Sequence, residues 1–217
     1  MTKMKLFSKC SRETGFTLVE LSLAILFLAF ILVFLFSTIV NVMAVYNKGV
    51  WVDQINQAAR QIDADLADQV RFSNEDVDKM IRNASANGRL CVNGISYIWS
   101  KDGAGVTSPV TNYFSDGTRI SLIRFIDPSG AYCLYTTNRP PRNSSGMVVL
   151  LNQSVAVLVF DVSKKDDKLI NFHIVLSTTG TNRATPNGGD WQCFDGGSPN
   201  QYCAFTNLNF TVYRRGS

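Results

Sequence analysis

From Phe16 to Val40 the chain has no glycine, no proline and a single charge. No other stretch constrains the fold as strongly. Its 25 residues in a helix span roughly 37 Å, against about 30 Å for a bilayer's hydrocarbon core. In hydrocarbon only a helix satisfies every backbone group within one segment, so a transmembrane helix is predicted over 16–40. Lys3, Lys5, Lys9 and Arg12 precede it against Glu13 alone, and no basic residue follows until Lys48. The positive-inside rule then sets the N-terminus in the cytoplasm and the rest across the membrane. A cleaved secretory peptide fits poorly, because its apolar region runs only about 7–15 residues. The single charge, Glu20, needs a reason. A carboxylate at mid-bilayer costs about 2.5–3.5 kcal/mol, and less near the interface.

The string Gly15-Phe16-Thr17-Leu18-Val19-Glu20-Leu21, with a short basic leader ahead and a long apolar helix behind, resembles the class III signal of type IV pilins and type II secretion pseudopilins. The resemblance covers residues 1 to about 40. It implies that a prepilin peptidase cuts between Gly15 and Phe16 and methylates the new amine of Phe16. Glu20 then becomes the fifth residue of the mature chain, where the family keeps its glutamate. A buried amine needs a counter-charge; on this reading Glu20 is an assembly residue that meets the amine of an adjacent subunit. Snorkelling toward the headgroups, or pairing within its own chain, are the alternatives. One departure concerns Ser37, which stands where many family members carry a helix-bending proline; a back-bonding Ser37-Thr38 pair is expected to bend the helix mildly at most.

Beyond the membrane segment, Ile55, Ala58/Ala59, Ile62, Leu66 and Val70 recur at spacings of three and four, one stripe of a helix. An unbroken helix over 16–71 would run roughly 80 Å, which suits a spine shared by membrane and head. The segment "INQAARQIDADLADQVRFS" also loosely resembles the minor pilin W and pseudopilin J group. Ser73 with Asp76 reads as a capping box for a short helix through Asn83. After Gly88 the texture becomes β-branched and aromatic. Turn signals punctuate it at Asp102-Gly103, Asp116-Gly117, Asp127 to Gly130, Asp166-Asp167 and Asn187 to Gly189. The predicted strand runs are "RLCVNGISYIWS", "RISLIRFID", "AYCLYTT", "MVVLLNQSVAVLVFDVS", "KLINFHIVLST" and "FTNLNFTVYRR". Strands without intervening helices imply an antiparallel sheet and an α+β fold. Pro140-Pro141 assigns 136–146 to an exposed loop. The domain scheme is a leader over 1–15, a membrane and assembly helix over 16–40, and an extracytoplasmic head over 41–217. Within that head the helix continues over 41–71, a short helix follows at 74–83, and the β-rich region covers 89–214.

Outside the leader's Cys10 the chain keeps four cysteines, Cys91, Cys133, Cys193 and Cys203. An even number beyond the cytoplasm points to disulfides with three connectivities. The favoured one joins Cys193 to Cys203 around a short C-terminal loop, as pilins commonly do, and Cys91 to Cys133 between two strands. No C-x-x-C pair exists and His173 is the one histidine, so neither a metal site nor a cofactor is expected. Asp195-Gly196-Gly197 alone is too thin for a calcium site.

No nucleophile elbow, zinc-binding helix, phosphate loop or dinucleotide fingerprint is present, and no enzymatic activity is expected. Net charge is +4, of which the leader carries three; the near-neutral remainder argues against a protein built to coat nucleic acid. Arg139, Arg142, Arg214 and Arg215, with Tyr202, Phe205 and Tyr213, form a candidate cationic tip for single-stranded DNA, against the plainer reading of a solvated surface. The expected role is a minor pilin or pseudopilin that enters or caps a filament. Its expected partners are the prepilin peptidase, other subunits and the assembly platform, with the lipid bilayer before assembly. It would sit in the inner or cytoplasmic membrane first and in a cell-surface or extracytoplasmic filament afterwards. The competing class is an uncleaved single-pass receptor or adhesin.

Overall fold

The computed structural model describes residues 17–101, 109–144, 146–179, 184–188, 190–195, 198–199 and 202–215. The chain divides into two compact units, Met1–Ala44 and Val45–Ser217. Helix α1 (Leu18–Arg71) runs through 54 residues without a break. In the first unit, residues 17–43 are all exposed, the large apolar side chains from Leu18 to Met43 among them. The helix is long and apolar enough to cross a membrane. The Thr38 hydroxyl donates to the Phe34 carbonyl at 2.9 Å, and helical geometry continues past it.

The second unit is built from α2 (Val77–Ile81), α3 (Ala84–Asn87), β1 (Arg89–Val92), β2 (Ile95–Trp99), β3 (Leu122–Ile126), α4 (Ala131–Leu134), β4 (Val148–Leu151), β5 (Val155–Asp166) and β6 (Leu169–Thr178). Two small hairpins follow, β7 (Thr185–Asn187) with β8 (Asp190–Gln192) and β9 (Phe194–Asp195) with β10 (Ser198–Pro199); β11 (Phe205–Tyr213) closes the fold. One sheet has the order β1-β2-β3-β4 and another β11-β6-β5, with every pairing antiparallel. A parallel bridge between Lys101 and Val157 joins the chain just past β2 to β5. The fold is α+β, with one long N-terminal helix and antiparallel sheets.

The stripe Ile55, Ala59, Ile62, Leu66 and Val70 is fully buried. It packs in one cluster with Tyr97, Trp99 and Leu122 of the first sheet and with Phe160, Phe172 and Ile174 of the second. Trp99 and Phe160 stack across the two sheets at 3.9 Å between ring centroids. Strand side chains alternate between faces, so Ile98, Ile123 and Phe125 point the other way, where Phe114 and Ile120 cover them. On the second sheet, Leu158 and Val175 likewise meet Ala184 and Cys203. A buried Leu or Ile stabilises by about 1.5–3 kcal/mol, so these layers hold the sheets on both faces.

Several local expectations are corrected. Ser73 does not cap the short helix: its hydroxyl accepts from the Glu75 amide, and Asp76 caps α2 by accepting from Asp78 N at 2.9 Å. The helix expected through Asn83 is two short pieces, α2 and α3, with Gly88 ending the second at φ +63°. The run "AYCLYTT" is not a strand. Asp127, 5% exposed, accepts the first two α4 amides, Ala131 N at 3.1 Å and Tyr132 N at 2.9 Å, and so nucleates a turn of helix there. The hydroxyls of Ser96 and Ser129 complete the shell of that carboxylate. The run from Arg89 to Ser100 is a hairpin, turned by Asn93 and Gly94 at φ +52° and +72°, the positive pair that a two-residue turn demands. Asn152 turns β4 into β5, so "MVVLLNQSVAVLVFDVS" is two strands. Asp102-Gly103 and Gly189 lie outside the described residues.

One polar lock ties α1 to the first sheet. Asp65 accepts from the Tyr97 hydroxyl at 2.8 Å and pairs with Arg124 at 3.2 Å. Burial, then the Asp65 carboxylate, push the Tyr97 pKa well up. A raised folded-state value means that the stabilisation is complete below the ordinary tyrosine pKa and lost as pH rises beyond it. Urea melts taken between about pH 8 and 11 should therefore show stability falling at the alkaline end. Tyr97→Phe should flatten that fall, and an unchanged alkaline slope in this variant would exclude the assignment.

Candidate functional site

Of the residues that the sequence nominates for processing and assembly, Gly15 and Phe16 lie outside the described residues, whereas Glu20 is in place. Thr17 immediately precedes α1. Its backbone N–H donates to Glu20 Oε2 at 2.9 Å and its hydroxyl to the same oxygen at 2.8 Å, while Glu20 N donates back to Thr17 Oγ1 at 3.3 Å. This is a reciprocal capping box, T-x-x-E, in which a side chain at each end satisfies an otherwise orphan amide. The motif is legible in the sequence as Thr17 and Glu20 ahead of an apolar run; reading Glu20 only as a counter-charge overlooks it. Both acceptor contacts use Oε2, and Oε1 accepts nothing among the described residues. The site thus offers one oxygen engaged in holding the helix start and one without a hydrogen-bond partner among the described residues. The helix N-terminus favours negative charge by about 0.3–1 kcal/mol where exposed.

In the second unit the four cysteines pair as Cys91–Cys133 and Cys193–Cys203, with Cα separations of 5.7 and 5.5 Å. Cys133 sits on α4, so its bridge ties a strand to a helix rather than two strands. Beside it lies a residue with no obvious sequence signal, Arg89, only 3% exposed. All five of its N–H donors are used. Nε and Nη2 donate to Asn112 Oδ1 at 3.3 and 3.1 Å, Nη2 also to Thr136 O at 2.7 Å, and Nη1 to Tyr135 O at 2.7 Å and to Tyr132 O. No carboxylate among the described residues takes part, and burial lowers the Arg89 pKa from its usual value. Carbonyl dipoles at the end of α4 therefore do what a counter-ion would do, and the segment from Asn112 to Thr136 is clamped to β1.

The candidate arginines engage different partners. Arg139 lies over the Tyr113 ring at 5.6 Å, and Arg142 faces Asp116 at 3.9 Å, a surface pair worth little. The Thr118 amide bonding to Asp116, more than Arg142, lowers that carboxyl's pKa. Arg214 donates to the Glu75 carbonyl, and Arg215 N donates to the Arg71 carbonyl at 2.9 Å. No contact joins the two arginine pairs among the described residues. His173 lies within β6, opposite Asp161 and Asn209. No group of three or more His, Cys, Asp or Glu side chains is placed to hold a metal among the described residues; Gly196 and Gly197 lie outside them.

No family model matches the chain, and neither a curated protein nor a solved structure matches it.

The two bridges close loops of 10 and 42 residues, for which the chain-entropy relation gives about 3 and 4 kcal/mol. Removing Cys91 and Cys133 together should lower the thermal unfolding midpoint more than removing Cys193 and Cys203. The reverse order would show that the loop-length account fails here.

Proposed function

We propose that the chain is a minor pilin or pseudopilin subunit, cut by a prepilin peptidase between Gly15 and Phe16, N-methylated there, and assembled into or onto a type IV pilus-like filament. The observation that carries this reading is the juxtaposition in sequence of a basic leader, the Gly15-to-Leu21 string and an exposed apolar helix. An α+β unit with a disulfide near its C-terminus agrees with it. Within the reading each residue has a task. Gly15 admits the peptidase, whose cleavage leaves a cationic amine on Phe16. Glu20 Oε2 keeps the helix start closed through Thr17, and Oε1 accepts the Phe16 amine of a neighbouring subunit. The apolar helix rests in the inner or cytoplasmic membrane before assembly and packs on other subunits afterwards. Its partners are the peptidase, the assembly platform and other pilin-like chains.

A second reading is favoured by one specific contact, the Thr17–Glu20 capping box. In an uncleaved single-pass receptor or adhesin, Glu20 does nothing more than close the helix. DNA capture by the head belongs to the same alternative, but Arg139 and Arg142 share no contact with Arg214 and Arg215 among the described residues.

The two readings part at Gly15 and at Glu20. N-terminal sequencing of protein recovered from membranes is expected to start at Phe16, and Gly15→Ala to leave Met1 in place. Glu20→Gln retains a capping acceptor but loses the charge. It is therefore expected to insert and fold normally yet to fail in filament incorporation, whereas Thr17→Ala incorporates. An intact leader on the mature protein, or equal behaviour of Glu20→Gln and wild type, would favour the anchor.

A further inference from the structure

Among the described residues strand β11 is an edge strand, paired with β6 on one side and with no other strand. The flanking bonds Thr178 N to Ala204 O and Arg214 N to Lys168 O fix the parity of that ladder. In an antiparallel pair, alternate residues bond across and the others point away. The N–H and C=O groups of Phe205, Asn207, Asn209, Thr211 and Tyr213 therefore face outward, and none has a backbone partner among the described residues. The edge also carries none of the usual protections within its nine residues: no proline, no lysine and no register shift against β6.

Along this edge runs a groove of about 540 Å³, lined by Asp63, Ala67 and Arg71 of α1 and by Phe210 to Tyr213 and Arg215. Successive strand residues point to opposite faces, so a groove touching four in a row lies along the strand's edge rather than over a face. Its two ends carry opposite charge. Arg71 and Arg215, joined through the Arg215 N to Arg71 O bond, have no carboxylate partner among the described residues, and Asp63 has no cationic one. Asp63 and Arg71, eight residues apart on one helix, lie about 12 Å apart along its axis, the reach of three to four extended residues.

We propose that β11 receives an extended segment of another polypeptide by strand addition, antiparallel to β11, with an acidic residue against Arg71 and Arg215, a small apolar residue against Ala67, and a basic residue against Asp63. Main-chain bonds to the odd-numbered residues supply affinity, and the three side chains supply direction and register. A second copy of β11 does not meet the requirement, because "FTNLNFTVY" contains no charged residue to offer the arginines. The proposal is independent of leader processing.

The test uses the full chain in detergent micelles with a labelled heptapeptide, Glu-Thr-Val-Thr-Lys-Thr-Val, and its charge-reversed counterpart, Lys-Thr-Val-Thr-Glu-Thr-Val. Binding of the first is expected to slow amide exchange at Asn209, Thr211 and Tyr213 while leaving Leu208 and Phe210 unchanged. The reversed peptide, and the paired change Arg71→Glu with Arg215→Glu, should each weaken anisotropy-detected binding about tenfold, the effect of losing roughly 1.4 kcal/mol. Asn209→Pro removes an outward donor without touching the β6 ladder and should abolish binding with far-UV dichroism intact; the arginine pair tests the idea even if this variant misfolds. Equal binding of the two peptides, or no protection at saturating peptide, overturns the proposal. Protection that grows with protein concentration in the absence of peptide assigns the edge to a second copy and overturns it equally.

Discussion

The burial of one helical stripe underlies the whole of the second unit. Ile55, Ala59, Ile62, Leu66 and Val70 reach the inner faces of both sheets, and the two sheets touch each other chiefly through what they share with that stripe, the Trp99–Phe160 stack included. Truncating a buried Ile or Leu typically costs 2–5 kcal/mol, a large part of the roughly 5–15 kcal/mol that separates folded from unfolded domains. Without the helix, Tyr97, Leu122, Phe160 and Phe172 would face water on one side of each sheet. Helix and sheets are thus a single cooperative layer pair.

Polar groups inside this unit obey a stricter rule than apolar ones. A buried donor or acceptor left unpaired costs about 1–3 kcal/mol; Trp99 Nε1 and Arg124 Nε are buried without a hydrogen-bond partner among the described residues, whereas three side chains that tie the segment from Asn112 to Thr136 in place are fully engaged. Arg89 spends all five donors, Asp127 collects four, and Asn112 both accepts from Arg89 and donates to the carbonyls of Asn87 and Trp99. The Cys91–Cys133 bridge lies within the same region, linking the strand that carries Arg89 to the helix that Asp127 starts. Covalent and hydrogen-bonded constraints therefore converge on one short helix that has only four residues and no propensity of its own to survive.

What could be read in advance follows from the range of the physics involved. Periodicity is local and strong, so the buried stripe of α1 and the antiparallel, β-rich character after Gly88 were legible. Length and apolarity alone mark 16–40 as a stretch able to cross a membrane, and Leu18–Arg71 is a helix long and apolar enough to do so. Asn93-Gly94 and Thr17-x-x-Glu20 are short-range signals that the sequence displays openly, one a hairpin turn and the other a capping box. Long-range satisfaction is different. Nothing near Arg89 indicates that its guanidinium will be answered by carbonyls 43 to 47 positions away. Nor does "AYCLYTT" by itself reveal a helix: Asp127, only four and five residues before the amides it accepts, starts the turn, but the bridge to Cys91 and the Arg89 contacts that hold it come from far along the chain. Strand order likewise has no local signature: that β11 lies at an edge beside α1 is fixed by loops and packing.

Glu20 brings both scales together. A cap alone does not account for its identity. Glutamine at the same place reaches back to the Thr17 amide as well as glutamate does and escapes most of the cost of a charge among lipid tails. The helix dipole returns about 0.3–1 kcal/mol to the anion, and a charge-assisted hydrogen bond exceeds a neutral one by about 1 kcal/mol. Against these stands a penalty of up to about 3 kcal/mol if the group sits well inside the bilayer, and far less at its surface. The sum is close to balance for a carboxylate at the interface and unfavourable for one drawn into a packed bundle of apolar helices. A second, cationic partner reverses that sign, and Oε1 is the atom left to receive it. On the proposed pilin reading the same carboxylate would serve as an intramolecular cap through Oε2 and, through Oε1, as half of an ion pair once helices pack together.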